Sequence, residues 1–134
     1  MSLITIKHEK DCRVTASVGK HKLTLDLPAD QGGTDTGPMP VELLTAALGS
    51  CMAMHIAMYC KAAKLPHEGF EISLDFQLAK DPLRIGTVTV DITLPPGFPT
   101  SRIEAVKRAA QQCMVKNTLK ESTAVDVEVW KNAA

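Results

Sequence analysis

The sequence predicts an α+β fold in which antiparallel sheets pack around two helices, in the order βββ-α-ββ-α-β. Three observations predict it. Before Pro28 there are three short runs in which apolar and polar side chains alternate, as in strands with one face buried. The stretch PMPVELLTAALGSCMAMHIAMYC, Pro38 to Cys60, is the longest apolar run in the chain, too continuous for a strand and long enough for a central, buried helix. Beyond it, two further alternating runs are followed by a Pro95-Pro96-Gly97 break and then by helical spacing.

Taken in order, Ser2 to Lys7 and Arg13 to Val18 alternate, and Lys22 to Leu27 sets Leu23, Leu25 and Leu27 on one face. Gly19-Lys20-His21 reads as a tight turn, which makes the first three strands an antiparallel meander. Pro28 to Gly37 is polar and holds Gly32, Gly33 and Gly37, so it is a loop. Pro40 suits the first turn of a helix, and Glu42 suits the positive end of its dipole. That helix should run to about Lys64, where Leu65-Pro66 stops it. Phe70 to Ala79 and Ile85 to Leu94 form a second hairpin around Asp81-Pro82. Ser101 with Glu104 reads as a capping box for a helix from Arg102 to about Lys116, with Ile103, Val106, Ala110 and Cys113 at helical spacing. Asn117 to Glu121 is an irregular or short helical piece, and Thr123 to Trp130 alternates as a closing strand. With no internal repeat and no boundary signal, a single domain over 1–134 is expected.

Composition narrows the function. Lys+Arg and Asp+Glu both number 15, which argues against nucleic acid and against an anionic membrane surface as partners. Aromatic content is only 4%, so aliphatic side chains and methionine must fill the core. Leu43 to Cys60 approaches the length of a membrane span, but it holds Thr45, Gly49, Ser50 and His55 in an otherwise ordinary soluble sequence, so a buried helix without a membrane is expected. MSLITIKHEKD lacks an apolar signal core and a cleavage site, so a cytoplasmic chain is expected. Four cysteines with no CxxC spacing then favour thiol chemistry or core thiols over structural disulfides and zinc knuckles.

Helix geometry sorts the reactive candidates. His55 follows Cys51 by four residues and shares its face. Cys60 and Glu42 each lie nine residues from Cys51, a rotation of roughly 900°, which puts them on the opposite side of the helix. Glu42 can serve Cys51 only from a second copy of the chain or if the helix breaks at Gly49-Ser50. Cys113, on the second helix, can meet Cys51 if the two helices pack, which spacing alone does not decide. A buried thiol is protonated at neutral pH, so a cation is expected over Cys51, with Lys20, Arg13 or protonated His55 as suppliers. Against these readings, a histidine at the position of His55 is more often a satisfied core histidine, Cys12 and Cys60 read as packing thiols, and the methionines read as core filler that can also line an apolar pocket.

The run GPMPVELLTAALGSCMA, with CMVKNTL later, resembles the OsmC/Ohr family of osmotically inducible and organic hydroperoxide resistance proteins, in an OsmC-like branch. The resemblance implies an intertwined homodimer and a thiol-dependent peroxidase acting on organic hydroperoxides. It implies Cys51 as the peroxidatic cysteine, Cys113 as the resolving cysteine, Glu42 as the acid and Lys20 as the activating cation. It implies no bound cofactor, only an external dithiol reductant. The chain departs from the pattern at Val41, where the acid usually follows the proline, at Met114, where proline usually follows the second cysteine, and at Lys20, where arginine is usual. Lysine keeps the charge but lacks the bidentate fork. A second reading follows from these departures: a protein binding a small apolar or acyl ligand on the same dimeric scaffold.

Overall fold

The computed structural model describes residues 3–132. The order is three strands, a long helix, two strands and two short helices. The chain divides into two compact units that share the long helix. The first takes in everything up to Gly49 together with Ile72–Ile92, and the second takes in Ser50–Glu71 together with the chain from Thr93.

In the first unit, β1 (Ile4–Lys10), β2 (Arg13–Val18) and β3 (His21–Leu25) form an antiparallel sheet in that order. The register pairs Ile4 with Val18 and Val14 with Leu25, and Val18 opposite His21 leaves Gly19-Lys20 as the turn. Gly19 takes φ 59°, a conformation that costs glycine little. Burial departs from the alternation. Ala16 and Leu25 are in the core, whereas every residue of β1 is exposed and Leu23 is 43% exposed. The meander is present, but among the described residues of one chain nothing covers its first strand. β4 (Glu71–Ala79) and β5 (Arg84–Thr93) make a separate two-stranded sheet, with Ile72, Leu74, Phe76, Val88, Val90 and Ile92 turned to its half-buried face.

The glycine-rich loop between β3 and the long helix is held by a buried carboxylate. Asp26, only 2% exposed, accepts hydrogen bonds from both the amide and the hydroxyl of Thr34 and of Thr36, and from the amide of Leu27. The two hydroxyls lie at 2.7 Å. The Asp26 amide in turn donates to the Pro38 carbonyl at 3.2 Å, and that of Asp35 to Leu27 at 3.0 Å. The loop therefore lies flat on β3. Gly33 and Gly37 are needed there because a β-carbon would collide with the Leu27 and Thr24 carbonyl oxygens respectively.

α1 (Pro40–Ala62) runs unbroken through Gly49-Ser50. Its buried stripe, Leu48, Met52, Ile56 and Cys60, repeats every four residues, and burying Ile56 alone contributes about 1.5–3 kcal/mol. The helix is long and apolar enough to cross a membrane by length and composition. It stops two residues short of the expected Lys64, which instead adopts φ 57° while the Leu65 amide returns to the Cys60 carbonyl at 2.9 Å.

In the second unit three expectations are corrected. The helix expected over Arg102–Lys116 is two helices, α2 (Ile103–Gln111) and α3 (Met114–Lys120), separated at Gln112-Cys113, where Cys113 is extended at φ −97°, ψ 124°. A fully buried side chain at Cys113 and a hydrogen bond from the Lys116 amide to its sulfur make it the cap of a new helix rather than a residue of the old one. The Ser101 capping box does not form. Thr100–Arg102 is a single 3₁₀ turn, and α2 starts without a side-chain cap. The expected closing strand at Thr123–Trp130 is irregular chain, with Val125, Val127 and Val129 each at least 79% exposed. Alternation gives a segment the capacity to be a strand, but a strand exists only where a neighbour completes its ladder.

Two predictions test the loop clamp. Its five hydrogen bonds hold the Asp26 carboxyl well below the usual carboxylate range, the Thr36 hydroxyl most of all, then that of Thr34. A lowered folded-state value means that the stabilisation is complete above the unfolded value of about 3.9 and is lost as pH falls below it. Asp26→Asn is therefore expected to lower the urea midpoint at pH 7, with the gap from wild type narrowing below about pH 4; a gap independent of pH contradicts the assignment. Gly37→Ala is expected to cost about 1–3 kcal/mol in the same assay, because backbone atoms must move.

Candidate active site

The candidate site lies in the second unit, where α1 and the α2–α3 break meet at two sulfur atoms. Cys51 is half-buried on α1 and Cys113 is fully buried at the head of α3. Both are free thiols, hydrogen-bonded to one another. The break makes this possible. At the start of a helix the first amides have no carbonyl four residues back, so they are available to other acceptors. Here they are spent on sulfur. The Val115 amide donates to Cys51 and does most to lower its pKa, followed by the Cys113 thiol and the Met114 amide, against the opposing effect of burial. Cys113 shifts the other way. Burial pushes its thiol up, the hydrogen bond to Cys51 adds to this, and the Lys116 amide at 3.4 Å offsets it only in part. The two thiols are thus shifted in opposite directions, Cys51 towards the thiolate and Cys113 towards the thiol. Cys60, fully buried on α1, is raised by burial alone.

These donors were not foreseen from sequence. The expected source of charge stabilisation was a side-chain cation, but the groups that acidify Cys51 within its unit are N–H and S–H donors. No residue type in CMVKNTL announces them, because every residue except proline has an amide and only the interruption at Cys113 frees these.

The other sequence candidates lie as follows. Cys51 and Cys113 are brought together. Glu42, exposed in the first turn of α1, accepts from the Met39 amide at 2.9 Å, so its carboxylate closes the helix start. Because α1 is continuous, the chain offers no break that would turn Glu42 to the Cys51 face. Lys20 is exposed at the β2–β3 turn, and Arg13 is half-buried at the start of β2, both in the first unit. His55 stands one turn beyond Cys51, half-buried, at the edge of a cleft formed with α2. Cys12 is exposed in the β1–β2 turn.

None of the curated proteins compared with the chain matches it. Among solved structures, a Psychrobacter arcticus protein provisionally named as an osmotic stress induced and detoxification response protein superposes with a TM-score of 0.81 at 22% identity, over 88% of each chain. An OsmC-like protein of Mycoplasma pneumoniae gives 0.76 at 17% identity, over 90% of this chain and 87% of that one. The organic hydroperoxide resistance protein OsmC of Legionella pneumophila gives 0.69 at 20% identity, over 90% and 89%. These are likenesses of fold. A family model described as OsmC-like protein matches residues 33–128, a span that takes in Glu42, Cys51 and Cys113 and well over half the sequence, and on that match the chain belongs to the OsmC-like protein family.

Proposed function

We propose that the protein is a thiol peroxidase that reduces organic hydroperoxides, with Cys51 as nucleophile and Cys113 as resolving thiol. The observation that carries this reading is the paired sulfurs, in which a half-buried Cys51 shifted towards the thiolate is hydrogen-bonded to a fully buried Cys113 shifted the other way. The similarity to proteins named for organic hydroperoxide resistance supports the substrate class.

In this reading the Cys51 thiolate attacks the distal peroxide oxygen, the O–O bond breaks, and the alkoxide leaves as the alcohol after taking a proton from Cys113 or solvent. Cys51 becomes a sulfenic acid. The Cys113 sulfur then attacks the Cys51 sulfur, water departs and a disulfide forms. An external dithiol resets the pair by exchange. Since Cys113 is fully buried, the reductant reaches the Cys51 sulfur first and releases Cys113. No bound cofactor is required.

The functional unit in this proposal is a homodimer. Within one chain Val125, Val127, Val129 and Trp130 stand 79–92% exposed along an extended segment, and Met54 on α1 is 65% exposed. Among the described residues no strand pairs with the segment. A second copy supplies both the missing ladder and the missing cover, by adding the segment to a sheet edge. It is also the remaining route by which Glu42 reaches a Cys51, since α1 has no break.

Treatment with one equivalent of cumene hydroperoxide, followed by mass analysis without reductant, is expected to produce a Cys51–Cys113 disulfide in the wild type, a sulfenic acid on Cys51 in Cys113→Ser, and no oxidation at either position in Cys51→Ser. Unchanged thiols in the wild type would overturn the peroxidase reading and favour a ligand-binding role. The paired substitution Val127→Asp and Val129→Asp is expected to convert a dimer to a monomer in sedimentation velocity; a wild-type monomer contradicts the dimer.

A further inference from the structure

One turn along α1 from Cys51, α1 and α2 form an open cleft of about 410 Å³ lined by His55, Met58, Tyr59, Ala105, Arg108, Ala109 and Gln112. Its lining comes from one face of each helix, at spacings of three and four residues. The volume suits a small ligand. Two properties of the lining specify what kind. The floor is low because α2 presents only the methyl groups of Ala105 and Ala109 there, and Met58 adds an adaptable apolar wall. His55, Tyr59, Arg108 and Gln112 can each donate a hydrogen bond, and no carboxylate lines the cleft. Arg108 has no ion-pair partner among the described residues, although Glu104 lies one turn earlier on the same helix. Arg102 donates from Nη1 to the Tyr59 hydroxyl oxygen at 3.1 Å, so the Tyr59 hydroxyl has its own proton left to donate. Gln112 adds an amide.

We propose that this cleft seats the carboxylate of a hydroperoxide substrate, with Arg108 as its principal anchor and Tyr59 as a second donor. The inference rests on the peroxidase reading and names the substrate class within it: organic hydroperoxides that carry a carboxylate a short distance from the peroxide. A planar guanidinium presents two parallel N–H groups to a carboxylate, which gives orientation as well as attraction. The position follows from the helices. His55 is one turn from Cys51, about 6 Å along the axis, and Tyr59 is about 12 Å from it. Gln112 immediately precedes Cys113. A molecule anchored at Arg108 and Tyr59, lying over Ala105 and Ala109, therefore has its far end directed along α1 towards Cys51. The step at sulfur is unchanged; the anchor sets which peroxides arrive in line for it.

The test compares cumene hydroperoxide with its para-carboxylate, in which peroxide and carboxylate stand at opposite ends of one ring. Wild type is expected to prefer the carboxylate by roughly tenfold or more in kcat/KM, mostly through KM, and Arg108→Gln to bring that ratio towards one. A wild-type ratio near one, or a ratio unchanged by Arg108→Gln, overturns the proposal. Arg108 is exposed, so the substitution does not put folding at stake. Calorimetry on the reduced protein, with 4-isopropylbenzoate against neutral 4-isopropylbenzamide, separates the two readings. If neither hydroperoxide is reduced but the benzoate alone binds and Arg108→Gln abolishes that binding, the cleft assignment stands and the peroxidase reading falls. If the benzoate binds no better than the amide, the cleft assignment falls whatever the turnover.

Discussion

The interruption between α2 and α3 is the constraint on which the site rests. Had the helix continued through Cys113, the amides of Met114, Val115 and Lys116 would have bonded back to carbonyls four residues earlier. A thiol facing that surface would have met a closed hydrogen-bond ladder. With the chain extended at Cys113, the same amides are turned to sulfur, those of Met114 and Val115 to Cys51 and those of Lys116 and Val115 to Cys113. Backbone amides are held by the fold, so they need no reorganisation when charge appears. A lysine or arginine would bring a full charge, but on a flexible stem. The interruption also separates the roles of two chemically identical side chains, since one sulfur faces donors at the surface while the other is sealed in the core.

The first unit meets a comparable problem with different groups. A loop with three glycines has little reason to hold one conformation, and every unsatisfied amide in it is a cost where water is excluded. Asp26 answers both demands by turning a single carboxylate inward, where the threonines at 34 and 36 surround it. Glycine at 33 and 37 then lets the loop lie against the backbone of β3 and the residues that follow it. The clamp delivers Met39 and Pro40 to the start of α1, where Glu42 closes the first turn.

Much of this was legible in the residues. The first five strands follow from the alternation of their apolar positions and α1 from its unbroken apolar run, and the lengths differ from expectation by only a few residues. Cys51 and Cys113 stood out through the motifs around them. Three features were not legible, each for a physical reason. The α2–α3 break contains neither glycine nor proline, and Ile103, Val106, Ala110 and Cys113 keep helical spacing straight across it, so periodicity reports continuity. Asp26 occupies an outward position in the alternation of Lys22 to Leu27, and only the later threonines make it an inward one. Val125, Val127 and Val129 alternate as strand residues do, yet periodicity says nothing about whether a neighbour is present to pair with them. Local pattern encodes what a segment can become, and the partner that realises it lies elsewhere in the chain or in another chain.

The clamp on the loop has a consequence for how that loop moves. The amides of Leu27, Thr34 and Thr36 all end on one carboxylate, so no one of them can be released while the side chain stays in place without leaving the others strained or a buried charge less well solvated. Opening is therefore cooperative. Residues that are up to ten positions apart in sequence exchange their protons with solvent in one shared event, and a segment whose composition reads as a flexible linker behaves as a single small folding unit.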